Sequence, residues 1–315
     1  MPTPDDLTDS QEGSAEDRSG DWIRRFYFEA FNARGQIVQL DATLAELLAR
    51  RDYPAAVLEL LGQMLAAVAM IADGLKWPGS VALQSKGGAL RTTLAEHRPG
   101  GLMRAIARPV DEDDWTSIQR ASSADLIGDG QLALSLIPAD DDRTSQPYQG
   151  MVAWEHDGLA ANLATYFRAS EQLDTRFLLF ADRKRARGLL LQRLPGTERD
   201  TFVDEETQDS FWRRACERVE RAAPESLAFE SASRFLNSLF REETLTLAPS
   251  TPLSFACTCS REKTGGVLRM LGRDDILELL AERGDIEVTC EFCGLRYHYS
   301  SSDTLELLDE TLTRH

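Results

Sequence analysis

The chain has 315 residues, enough for about two domains at ~150 residues each. Its 42% hydrophobic residues and 21 glycines are ordinary globular composition, which excludes a fully disordered or fibrous chain and allows a sizeable core without staples. Fifty-two acidic residues against 35 basic ones give a net charge of −17, which argues against a nucleic-acid surface and favours proteins as partners.

Residues 1–20 carry six acids against Arg18 alone and read as a disordered, solvated tail. No apolar run of signal-peptide length follows a basic start. The longest apolar stretch, residues 60–72, contains Gln63 and falls short of a membrane span. A soluble, cytoplasmic protein is expected.

After the tail, residues 21–40 have the alternation and aromatic content of two strands, with a turn at residues 32–35. Thr43-x-x-Glu46 has the form of a capping box opening a short helix with Leu44, Leu47 and Leu48 on one face. Asp52 and Pro54 mark a second start, and Val57, Leu61, Met64, Val68 and Ile71 follow at helical spacing until Gly74. Residues 77–109 predict three strands separated by Gly87-Gly88 and Pro99-Gly100-Gly101. Two acidic loops, residues 111–114 and 140–142, flank a strand beginning at Gln131. Residues 151–173 predict a strand running into a helix, and residues 176–196 a hairpin around the basic turn Arg183-Lys184-Arg185-Arg187.

From residue 204 to 242 the pattern turns helical. Phe211, Ala215 and Val219 line one face with Trp212 and Cys216 beside them; Pro224 breaks the run, and Phe235, Leu236, Leu239 and Phe240 form the stripe of a second helix. No repeat of fixed period appears. The expected fold class is α+β, divided into a tail (1–20), an N-terminal domain of antiparallel or mixed sheets with packed helices (21–200), a helical linker (201–250) and a small C-terminal zinc-binding domain (251–315).

Four of the five cysteines fall in the last fifth of the chain. Cys257-x-Cys259 and Cys290-x-x-Cys293 are separated by 30 residues, a clustering unlike a secreted disulfide framework. Four thiolates satisfy tetrahedral zinc, and two close pairs are the usual way to assemble them, so one Zn2+ per chain is expected. Gly294 permits the turn of a zinc knuckle, and residues 267–271 and 274–281 read as two short helices inside the insert. A module of about 55 residues has little core, so its folding should depend on the metal. Zinc keeps the sulfurs as thiolates, the species oxidants attack, and oxidised sulfur cannot hold it. The same four residues can therefore be a staple or a switch, and spacing does not decide between them.

These residues, with Arg24-Arg25-Phe26, Arg34-Gly35, Tyr53-Pro54, Leu60-Leu61-Gly62, Leu75-Lys76, Gly150, Tyr166-Phe167, Ser170-Glu171-Gln172-Leu173, Leu189-Leu190-Leu191-Gln192 and Cys257-Thr258-Cys259-Ser260-Arg261, make the chain resemble the heat shock protein 33 family. The likeness runs from about Asp21 to Leu308; the acidic tail, Gln63 in place of an expected Glu, and Cys216 depart from the family pattern. The resemblance implies a redox-regulated, ATP-independent holdase, zinc-bound and inactive when reduced, and not an enzyme. It implies that oxidation pairs Cys257 with Cys259 and Cys290 with Cys293, releases zinc and unfolds the zinc domain and linker. Phe211, Trp212, Phe235, Leu236, Leu239 and Phe240 are then the client-binding surface, and the activated form is a homodimer. The alternative is an enzyme or nucleic-acid-associated protein with a zinc staple that does not switch.

Outside this constellation the residues read more plainly. Cys216 is expected in the core and His298 on a strand or the surface. His97, His156 and His315 lack triad partners by spacing, and neither G-x-S-x-G nor a phosphate loop occurs. Residues 140–142 lack a calcium-loop pattern, and the basic hairpin tip reads as a solvated turn.

Overall fold

The computed structural model describes residues 20–75, 77–111, 115, 118, 121, 123–139, 142, 145–195, 203–228 and 231–312. All of the acidic tail but Gly20 lies outside these residues, as do 112–114 and 140–141 of the acidic loops, and His315. The chain divides into two compact units, one ending at Phe255 and the other beginning at Ala256.

The first unit is built on β1 (Asp21–Phe28) and β2 (Ala33–Gln39), followed by α1 (Asp41–Arg50) and α2 (Ala55–Leu75). The turn joining the two strands is residues 29–32, earlier than the sequence suggests, because Arg34 and Gly35 are already in register with Tyr27 and Phe26. Gly35 is required there: a Cβ would enter the ring of Phe26. Helix α1 starts at Asp41 and Thr43 does not cap it; instead Asp21 of β1 accepts from the backbone N–H of Ala42 at 2.8 Å and of Thr43 at 2.6 Å.

Helix α2 is apolar apart from Glu59, Gln63 and Asp73, and a soluble helix of that kind must be largely buried. It is longer than its apolar stretch suggests, 21 residues with Gly74 inside it, and is long and apolar enough to cross a membrane. Here it is a core helix, packed on strands from both halves of the sheet. Gly62 brings it against Ala181 and Ala186, and Gly188 leaves room for Met70 and Ala66.

Strands β3 (Ser80–Gly87), β4 (Leu90–Arg98) and β5 (Leu102–Pro109) form the expected meander. Its turns sit at glycines with positive φ: 137° and 55° at Gly87 and Gly88, 82° and 76° at Gly100 and Gly101. After α3 (Ser123–Ile127) come β6 (Gln131–Ile137), β7 (Tyr148–Ala153) and α4 (Leu159–Tyr166), which runs on as a π-helical turn, Phe167–Glu171. The hairpin β8 (Thr175–Ala181) and β9 (Ala186–Arg193) turns where Asp182 accepts from the N–H groups of Lys184 and Arg185. Arg187 is not part of a solvated tip: it is 4% exposed and pairs through Nη2 with Asp41 at 2.8 Å.

Helix α5 (Glu205–Arg221), capped by Asp204, a 3-10 turn (Pro224–Leu227) and α6 (Ala232–Leu239) follow. The chain then adds two strands not expected from sequence, β10 (Leu245–Leu247) and β11 (Thr251–Phe255). Among the described residues the sheet runs β7-β6-β3-β4-β5-β11-β1-β2-β9-β8, with β10 also on β1. All pairings are antiparallel except β11 with β5, so the sheet is mixed. Residues 251–255, expected with the C-terminal domain, belong to the first unit because β11 bonds to both β1 and β5.

The first unit thus has two apolar layers. Ile23, Val38 and Leu190 face α2, whereas Trp22, Phe26, Phe28, Ile37, Leu189 and Leu191 face α5 and α6. This explains why β9 is buried nearly throughout, with Leu189, Leu190 and Leu191 in succession: both of its faces are covered.

The second unit holds α7 (Arg261–Leu271), α8 (Arg273–Arg283), β12 (Ile286–Thr289), β13 (Arg296–Tyr299) and α9 (Ser301–Leu312). Both expected helices are present and begin earlier, α7 because the Ser260 hydroxyl accepts from Lys263 N–H at 3.2 Å. Its buried apolar core among the described residues is Leu268, Ile276, Ile286, Tyr299 and Leu308.

Candidate metal centre

Cys257 and Cys259 lie in the extended segment before α7, and Cys290 and Cys293 in the turn between β12 and β13. The turn is closed by two backbone bonds, Gly294 N–H to Cys290 O at 2.7 Å and Cys290 N–H to Leu295 O at 2.8 Å. Gly294 has φ 68°, the left-handed conformation the knuckle needs. The four residues named from sequence are brought together, with all four Sγ atoms within 4.8 Å of one another.

Contacts run across the pairs: Cys257 Sγ to Cys290 Sγ is 3.6 Å, and Cys259 Sγ to Cys293 Sγ is 3.4 Å. Ligands about 2.3 Å from a tetrahedral ion lie about 3.8 Å apart, so this spacing fits one metal held by all four. A purely sulfur donor set suits zinc or iron and disfavours calcium or magnesium. Cys257, Cys259, Cys290 and Cys293 would hold the ion, and the ion would fix them as thiolates.

The sulfurs differ in their surroundings. Burial pushes Cys293 up to about 12, with its neighbouring thiols adding to the effect, and burial also raises Cys257. Burial acts on Cys259 in the same direction but is outweighed by the Tyr297 hydroxyl and the other three cysteines, which hold its thiol at about 7. Tyr297 Oη donates to Cys259 Sγ at 3.2 Å and is the site residue that motif reading overlooked. Its signal was the alternation of β13, which puts residue 297 on the same face as the buried Tyr299. His298, on the opposite face, approaches Asp285 at 3.2 Å and not the sulfurs.

The remaining named residues lie in the first unit. Phe211, Trp212, Phe235, Leu236 and Phe240 are buried and Leu239 is partly buried, in one layer against the sheet. Phe211 stacks on Phe31 with centroids 3.8 Å apart, and Phe240 meets Phe28 edge-on at 5.1 Å. The Trp212 indole N–H donates to Asp174 at 2.6 Å. Cys216 is in the same layer, 6% exposed, and burial pushes its thiol up to about 12.

The family model described as Hsp33 protein matches residues 21–300. The chain belongs to the Hsp33 family. Proteins named 33 kDa chaperonin from Pseudomonas syringae pv. tomato and Pseudomonas aeruginosa are 36% and 37% identical to it over 289 residues, covering 91% of this chain and 93% and 94% of theirs. The crystal structure of the 33 kDa chaperonin (heat shock protein 33 homolog) of Thermotoga maritima superimposes with a TM-score of 0.73 at 22% identity, covering 92% of this chain and 99% of that one. That likeness establishes a shared Hsp33 fold. The chain is thus an Hsp33-type chaperone with an α+β fold, and the family implies client proteins as its partners.

Proposed function

We propose that this chain is a redox-regulated, ATP-independent holdase of the cytoplasm, inactive while one Zn2+ is held by Cys257, Cys259, Cys290 and Cys293. The observation that carries the reading is the four sulfurs gathered within 4.8 Å in a unit with so small a core. Such a unit depends on its metal for folding.

Oxidation pairs Cys257 with Cys259 and Cys290 with Cys293. Two molecules of peroxide accept four electrons from the four thiolates; two S–S bonds form, the O–O bonds break, and four protons are taken up as the oxygen leaves as water. Disulfide sulfur sits near 2.0 Å from its partner and is a poor metal ligand, so pairing within each motif dismantles the cross-pair arrangement. Unit two then loses its fold.

Cys257 follows β11 by one residue, and β11 is held by short ladders to β1 and β5. Loss of order beyond residue 256 frays this strand, and with β10 and α6 the covering layer comes away. Phe211, Trp212, Phe235, Leu236, Leu239 and Phe240 become the surface that captures unfolding proteins, and the activated chain is a homodimer. A layer stored against aromatic residues of the sheet supplies this without new synthesis or nucleotide.

The test follows one purified sample through peroxide and back through reductant with zinc. The reading predicts loss of one zinc as four thiols disappear, with reversible suppression of aggregation of a heat-denatured client. Zinc retention throughout, or equal suppression by the reduced form, would overturn it.

A further inference from the structure

Strand β7 ends the sheet, pairing on one side with β6 and, among the described residues, with no strand on the other. The bond from Trp154 N–H to Gly130 O sets the phase of the ladder. With the register Gly150 opposite Leu134, the backbone groups of residues 148, 150 and 152 point to β6, and those of Gln149, Met151 and Ala153 point outward. All three outward residues are exposed, Met151 at 52%. The strand, YQGMVA, has no charge, no proline and no bulge, although natural edges are ordinarily blunted by such devices. Beside it, on the solvent face, a depression of about 160 Å³ is lined by Gln84, Lys86, Gln131, Ala133, Gln149 and Met151.

From this we infer that β7 is a docking edge for an extended segment of an unfolding client polypeptide, which adds to the sheet as a further antiparallel or parallel strand. The comb of outward N–H and C=O groups specifies the occupant's conformation: only an extended backbone matches it. Main-chain pairing is indifferent to sequence, as a chaperone's contacts must be, and Met151 offers an adaptable apolar contact beside it. A second copy of this chain fits less well. Six residues offer about 20 Å of edge. A strand laid there covers on the order of a few hundred Å², against the ~1,200–2,000 Å² of stable protein interfaces. The edge thus serves as a weak contact whose effect multiplies when the released apolar layer binds the same client. The inference rests on the chaperone reading above and adds a second surface to it.

The test uses the full peroxide-activated chain and a permanently unfolded, carboxymethylated polypeptide as the probe, with hydrogen exchange read by NMR. The amides of Gln149, Met151 and Ala153 should gain about tenfold protection on saturation, while those of Tyr148, Gly150 and Val152 stay as they were. Met151→Pro, which removes an outward N–H and leaves the β6 ladder intact, should weaken probe binding about tenfold with zinc content in the reduced form unchanged. Met151→Glu, which keeps the N–H and adds to the edge a charge that repels the anionic carboxymethylated probe, should weaken it several-fold and guards against a folding defect in the proline variant. Probe binding with no protection of the three outward amides overturns the edge while leaving the chaperone reading in place. Protection that rises with protein concentration in the absence of probe also overturns it, in favour of a second copy. Failure of the activated wild type to bind the probe or suppress aggregation overturns both.

Discussion

Cys216 differs in kind from the other four cysteines. It lies on the buried face of α5, far in sequence from the C-terminal cluster, and burial places its thiol at about 12. Burial disfavours its thiolate, and it is not among the four sulfurs that a metal would hold as thiolates, so little of it is in the reactive form at neutral pH. Peroxide should therefore consume the four clustered thiols and spare this one. Thiol counting on the oxidised chain after denaturation is expected to find one free sulfhydryl per chain, and none in Cys216→Ser, whose zinc content stays the same. Three free thiols in the oxidised wild type would mean that one motif does not close. The conclusion that Cys216 is a core residue follows already from its helical spacing; its neighbours Arg176 and Asp174 come from β8 and the segment before it, which no local pattern announces.

At the scale of elements, α5 and α6 are a cover over aromatic residues of β1 and over β2 and β9. Phe211 is the centre of that cover, in contact with Phe28 at 4.8 Å and Phe31 at 3.8 Å. Phe211→Ala removes a fully buried ring, which costs about 3–5 kcal/mol where the site cannot collapse. The variant should unfold at lower urea concentration and reach full holdase activity at lower peroxide, with one zinc still bound when reduced. An unchanged urea midpoint would show that the cover contributes little. The faces of these helices were legible from spacing alone, as was the β3–β5 meander, because Gly87-Gly88 and Pro99-Gly100-Gly101 dictate turns locally. What the sequence concealed depends on distant partners. Strand β10 has three residues and is a strand because Leu245, Thr246 and Leu247 meet Phe28, Tyr27 and Phe26, more than two hundred positions away. Helix α1 is capped by Asp21 across the strand pair, so its capping-box signature misled. Arg187 belongs to a basic run in sequence and, itself buried, to a partly exposed ion pair with Asp41 in space.

For the whole molecule, the cysteine cluster was the most legible feature, since two close pairs at this separation have few other uses. The spacing could not say whether the site is a staple or a switch. That distinction depends on whether order in the second unit supports the helical cover of the first, 17 residues of α5 and 8 of α6. The most direct measurement is hydrogen exchange along the whole chain before oxidation, after it, and after reduction with added zinc. The account predicts that residues 256–312 and the amides of α5 and α6 lose protection together on oxidation and regain it together, while α2 stays protected throughout. Loss confined to residues 256–312, with α5 and α6 as protected as before, would contradict it and leave the cysteine cluster as a staple.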